Sequence, residues 1–206
     1  MLPMSTIQLQ MRQPATGFTL IEVLVVLTIS AILLAVGVPM YNSSIASARA
    51  SDAANTFLSA VELARSESIR RGLNASACRV LNPAVNPPVC GTAAVNVAGV
   101  GSFADGDWAA GWAVFAETDA TGTDGVIDPL DTIVLIQDRF ASGNAAQHAE
   151  IVAAIGTIGV ITFGPNGLRV GGGNFTVRYP QVAAGAAVST RTVTITAMGQ
   201  VAVRRP

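Results

Sequence analysis

Apolar and polar positions divide the chain into three stretches with different periodicities. From Phe18 to Val38 the residues are apolar apart from a few hydroxyls, and Glu22 is the one formal charge in 21 residues. At about 1.5 Å rise per residue this run spans about 31 Å as a helix, matching a hydrocarbon core of about 30 Å. From Pro39 to Gly72 the pattern becomes helical and two-faced. Ala46, Ala50, Ala53, Ala54, Phe57, Leu58, Val61 and Ala64 project to one side, with Asp52, Asn55, Ser59, Glu62, Ser66, Glu67 and Arg70 on the other. Glu67 has Arg70 and Arg71 at i+3 and i+4, and Gly72 is placed to cap the helix end. Beyond Leu73 short β-rich runs appear at 112–115, 132–136, 159–163, 174–179, 191–196 and 200–204, separated by Gly, Pro, Asn and Asp. Pro165-Asn166-Gly167 is a turn between two of them.

The pattern predicts one long helix, lipid-embedded and then amphipathic, with its alanine-rich face packed on a sheet. Pro39 lacks the N–H that would bond Ala35, so a kink or weak point is expected around Gly37 and Pro39. The boundaries follow: 1–17 as a leader, 18–38 as the membrane half of the helix, 39–72 as its amphipathic half, and 73–206 as a β-rich domain. The fold class is α+β, a long N-terminal helix on a C-terminal antiparallel β domain.

Glu22 does not fit a plain anchor. An ionised side chain at the centre of a membrane helix costs roughly 2.5–3.5 kcal/mol, less near an end, and such a group usually has a partner. Cleavage after Gly17 would create one, a cationic amine on Phe18 of a staggered neighbouring helix. Gly17-Phe18-Thr19-Leu20-Ile21-Glu22, followed by the apolar run, resembles the class III signal of type IV prepilins and type II secretion pseudopilins. The resemblance implies cleavage between Gly17 and Phe18 by a prepilin peptidase, N-methylation of Phe18, and Glu22 steering docking onto other subunits. An ordinary secretory signal carries its cleavage site after the apolar stretch instead. The leader begins at Met1, Met4 or Met11; from Met11 it is seven residues long.

In order along the soluble region, Leu63 to Gly72, the strand around Cys78, Ala110 to Phe115, Ile161 to Gly167 and Gly199 to Arg204 resemble the GspH/FimT family. These are minor pseudopilins of type II secretion and minor pilins of type IV pili. The implied partners are other pilin or pseudopilin subunits, the prepilin peptidase, an inner-membrane assembly platform and membrane lipid. The implied location is a single pass through the bacterial inner membrane, with Arg12 and the initial amine keeping the N-terminus cytoplasmic and the β domain periplasmic. That oxidising side permits a Cys78–Cys90 disulfide around a loop containing Pro83, Pro87 and Pro88. A metal site or redox pair is the rival reading; the spacing is not C-x-x-C and His148, the only histidine, is remote.

Charge changes the picture at one end. The net charge of −1 argues against a generally nucleic-acid-binding surface. Yet residues 139–206 hold six Arg against Glu150 alone, while 101–138 hold eight acids and no base. Some pilus members of the family carry a G-R-x-R tail that binds DNA, which Gly199-Gln200-Val201-Ala202-Val203-Arg204-Arg205 resembles with Gln200 at its first arginine. Arg178, Arg191, Arg204 and Arg205 are therefore the candidate DNA contacts, and DNA uptake is the alternative function. The acidic 117–131 loop is a candidate calcium cage without EF-hand spacing, Thr121 and Thr123 standing where acids belong. No enzyme motif is present; the expectation is a non-catalytic subunit with no cofactor.

Overall fold

The computed structural model describes residues 17–97, 101–118, 125–138, 149–156, 158–171, 173–179 and 189–205. The leader before Gly17, Asp119 to Asp124 of the acidic loop, His148 and Gly172 lie outside them. The chain forms two units, one ending at Pro39 and one beginning at Met40. Helix α1 runs Leu20–Arg71 and includes Gly37 and Pro39.

Within the first unit the helix is apolar on every side and exposed on every side. Leu20, Ile21, Leu27, Leu33 and Val36 each leave more than half their surface uncovered. Among the described residues α1 is the one helix long and apolar enough to cross a membrane.

In the second unit the same helix is amphipathic. Ala46, Ala50, Ala53, Ala54, Phe57, Ala60, Val61 and Ala64 are buried, as the periodicity predicts, except that Ala60 joins them while Leu58 is only half-buried. Glu67 departs from its expected place on the solvent face. It is buried because Arg70 and Arg71 enclose its carboxylate, Arg71 Nε lying 2.8 Å from Oε2. These hydrogen bonds hold the Glu67 carboxyl below the usual carboxylate range. The helix stops at Gly72, whose φ of +68° and N–H bond to the Ser68 carbonyl (3.0 Å) cap it.

Among the described residues ten strands follow: β1 Ala75–Arg79, β2 Val95–Val97, β3 Gly101–Phe103, β4 Trp112–Ala116, β5 Thr132–Gln137, β6 Glu150–Ala153, β7 Val160–Phe163, β8 Phe175–Tyr179, β9 Ser189–Ile195 and β10 Val201–Arg204. One sheet is ordered β5-β4-β1-β7, a second β10-β9-β8-β6, and β2-β3 form a ribbon; each of these pairings is antiparallel. The periodicity predicts β4, β5, β7, β8, β9 and β10 to within two residues at each end, and misses β2, β3 and β6.

Both faces of the first sheet are covered. Ala77, Trp112 and Val114 face the core containing α1, while Cys78, Val80, Ala113 and Phe115 form a smaller cluster with Cys90, Ile127 and Val160. Alternation along β1 and β4 thus sends successive side chains into two different apolar environments. The second sheet is one-sided. Phe175, Val177, Tyr179, Arg191, Val193 and Ile195 are buried, and Thr176, Arg178, Thr190, Thr192 and Thr194 alternate with them.

Candidate functional site

Three regions carry groups whose chemistry goes beyond packing. The first is the start of α1. Thr19 stands one residue before the helix, and its Oγ1 accepts the Glu22 N–H at 3.3 Å, satisfying one of the unpaired donors of the first turn. Thr19 to Glu22 has the S/T-x-x-E spacing of a capping box, a local signal that sequence reading passed over. Glu22 is exposed and shares the border of a shallow apolar groove with Phe18, Val23, Val26 and Leu27. Phe18 is itself 83% exposed, and Gly17 has open space where a Cβ would stand. The Gly17–Phe18 bond therefore lies in a non-helical, uncovered segment immediately before the first helical turn.

The second is the Cys78–Cys90 pair, joined by a disulfide with Cα atoms 5.7 Å apart. Beside it Arg79 is fully buried. Its Nε donates to the Asp107 carbonyl at 2.7 Å and its Nη1 to the Gly91 carbonyl at 2.8 Å, tying the disulfide loop to the turn before Trp108. Burial pushes the Arg79 guanidinium down from its ordinary value, against the opposing pull of Asp107 and Asp105. Asp107 in turn accepts N–H bonds from Ala109 and Ile151 through Oδ1, at 3.0 and 2.9 Å. No sequence pattern marks Arg79, because its acceptors are backbone carbonyls distant in the chain.

The third is the carboxyl-terminal arginines, which the fold places in different environments. Arg191 points inward, only 6% exposed. It donates from Nε to Ser51 Oγ (3.1 Å), from Nη2 to Ser47 Oγ (2.9 Å) and from Nη1 to the Thr190 carbonyl (2.8 Å). Arg178 and Arg204 lie on the opposite, outward face of that sheet, and Arg178 pairs with Glu150 at 3.8 Å. Arg205 is exposed beyond β10.

Sequence reading also passed over Arg65. Its Nε donates to the Gly167 carbonyl at 3.1 Å and its Nη2 to the Met198 carbonyl at 3.2 Å, so one helix side chain holds two turns of the β domain. Gly199 follows there with φ +73°, and a Cβ on it would stand 2.3 Å from the Gly167 oxygen. In the acidic stretch Glu117 accepts the Gly125 N–H, Asp128 that of Leu130, and Asp131 that of Asp128. Among the described residues no group of three or more His, Cys, Asp or Glu converges as a metal site.

The family model described as Type II transport protein GspH matches residues 53–199. The prokaryotic N-terminal methylation motif matches residues 12–38. Among solved structures, two crystal forms of the type IV minor pilin FimU from Pseudomonas aeruginosa are similar at 15% identity. One gives a TM-score of 0.44 over 75% of this chain and 91% of that one. The other gives 0.45 over 80% and 92%. A search of curated proteins found no match.

Proposed function

The chain belongs to the GspH family of pilin-like subunits, and from that premise we propose that it is a minor pseudopilin or pilin, matured by a prepilin peptidase and built into a filament. The observation that carries this reading is the arrangement at the start of α1. An uncovered Gly17–Phe18 bond directly precedes a helix whose first turn presents Glu22 beside Phe18. Cleavage there leaves a Phe18 amine, the methylated terminus of the mature chain. Glu22 then pairs with the amine of a neighbouring subunit, in a low-dielectric setting where opposite charges attract strongly.

The apolar part of α1 holds the subunit in the inner membrane until extraction, with the β domain on the periplasmic side. Its partners are other pilin-like subunits, the peptidase, the assembly platform and lipid. The role is structural, with no step of covalent chemistry assigned to the subunit itself. A secretion pseudopilus and a type IV pilus use the same features, and either machine accommodates this reading.

Maturation is checked by mass spectrometry of the chain co-expressed with a prepilin peptidase. The expected product begins at N-methylated Phe18, and Gly17→Val accumulates as uncleaved precursor. Normal processing of that variant would overturn the assignment.

A second reading, a DNA-capturing subunit, is favoured by the outward placement of Arg178 and Arg204 and the exposure of Arg205. Arg191, committed to Ser47 and Ser51, contributes to the packing of that region rather than to an outer surface. The full chain in neutral detergent is expected to shift duplex DNA at low salt only if this reading holds, and Arg204→Ala with Arg205→Ala then abolishes the shift.

A further inference from the structure

A cleft of about 320 Å³ opens between the end of β6, the segment leading into β7 and the start of β8. Ile155 and Ile158 supply its apolar wall, Arg169 and Asn174 its polar one. Ile155 is 88% exposed, the most uncovered large apolar side chain among the described residues. The walls are fixed by the fold. Trp108 Nε1 donates to the Ile158 carbonyl at 2.7 Å, the Ala154 N–H to the Asn174 carbonyl at 2.7 Å, and the Arg169 N–H to the Ala197 carbonyl at 3.1 Å.

Arg169 is the anomaly. Among the described residues its guanidinium has no hydrogen-bond or ion-pair partner, and Nη1 is covered from solvent as well. No carboxylate lines the cleft among those residues. A charge partly withdrawn from water without a partner is costly, and a carboxylate pairing with the remaining nitrogens offsets that cost. The cleft therefore has the chemistry to receive an aliphatic side chain with a carboxylate beside it.

The chain carries such a group on its own surface. Residues 101–138 hold eight acids and no base. Within them Leu130 leaves 65% of its surface uncovered, and Asp128 stands two residues before it. Asp128 Oδ1 accepts the Leu130 N–H at 2.7 Å, and the Asp131 N–H reaches the Asp128 carbonyl at 3.2 Å. A tight turn thus holds leucine and carboxylate together. Among the described residues no ion pair joins Asp128 to Arg169 within one chain.

We infer that the Asp128–Leu130 turn of one copy docks in the Arg169 cleft of a second copy of this chain. Leu130 packs on Ile155 and Ile158, and Asp128 pairs with Arg169 through Oδ2. The opposite charge of the 101–138 and 139–206 stretches favours the encounter. The contact lies wholly in the unit beginning at Met40 and does not rest on the processing or membrane placement proposed above. Its consequence is a subunit that occupies neighbouring positions in one assembly.

The test is sedimentation equilibrium of the full chain at micromolar concentration, in neutral detergent matched to the solvent density. The wild-type chain should self-associate at low salt and dissociate as salt is raised. Arg169→Glu and Asp128→Arg each set like charges against one another across the contact, and each should weaken association about ten-fold or more. Leu130→Ser should weaken it about five-fold, the effect of losing an interface anchor. An equal mixture of the Arg169→Glu and Asp128→Arg chains restores opposite charges and should associate within about three-fold of wild type. Misfolded chains cannot produce that recovery. A wild-type chain monomeric throughout would overturn self-docking. Association that persists in both single variants would assign it to the apolar part of α1 and overturn the cleft, as would a mixture no better than its components.

Discussion

Replacement of Phe57 by alanine is expected to destabilise the β-bearing unit by about 3–5 kcal/mol, the range for emptying a fully buried aromatic site. Phe57 is completely buried where α1 meets both main sheets. Its ring makes edge-on contacts with Trp108, Trp112 and Phe175, at centroid distances of 5.3, 5.6 and 5.0 Å. Trp112 belongs to β4 and Phe175 to β8, so the lost ring is the common neighbour of two sheets that share no strand. The surrounding alanines have no side-chain length with which to fill the void. At about 2–4 °C per kcal/mol for a unit of this size, the midpoint of thermal unfolding should fall by about 6–20 °C. Circular dichroism of the full chain in detergent reads it, and Phe57→Leu, which restores most of the volume, should recover more than half of the loss. A midpoint unchanged in Phe57→Ala would mean that the helix and the two sheets do not share this core.

Replacement of Glu22 is expected to separate processing from assembly. Glu22→Ala and Glu22→Gln should both be cleaved after Gly17 at the normal rate, because the Gly17–Phe18 bond lies outside the helix and Phe18 stands four residues before the changed side chain. Both should then be depleted from sheared filaments by about a hundredfold or more, since a charge left unpaired in a buried setting costs about 3–5 kcal/mol. Gln keeps the shape and hydrogen-bonding capacity of Glu and loses only the charge, so parity of the two variants isolates the charge as the cause. Immunoblots of sheared and membrane fractions provide the measurement. Normal incorporation of either variant would remove the docking role from Glu22.

What the sequence pattern reveals of the fold depends on the range of the interactions. The helix from Leu20 to Arg71, its alanine-rich inner face and the Gly72 cap were legible because each depends on neighbours within four residues. Strands such as β4 and β9 were legible because their β-branched and aromatic residues are dense. β6 was not: its four residues follow a polar segment, and its partner β8 lies more than twenty residues further on. The methylation signal was legible as a motif, whereas Thr19 was overlooked because the same residues had already been read as a processing signal. Arg65, Arg79 and Arg191 were opaque for one shared reason. Each satisfies carbonyls or hydroxyls brought together only by the tertiary fold, and an arginine in a sequence does not reveal whether it faces solvent or structure.

Two of those arginines determine how α1 is held. A face of alanines is nearly smooth, and dispersion against it varies little when a helix slides along its own axis. Directional bonds therefore join Phe57, lodged among Trp108, Trp112 and Phe175, in setting the axial position. Arg191 grips Ser47 and Ser51 near one end of the packed segment, and Arg65 grips the two turns near the other. Within the unit beginning at Met40, a tensile load along α1 meets the first fastener near the start of the alanine face, just past Ala46, and the second before it reaches Gly72. The helix acts as a shaft keyed at two points, so that force drawn along it moves the whole β domain instead of slipping past it.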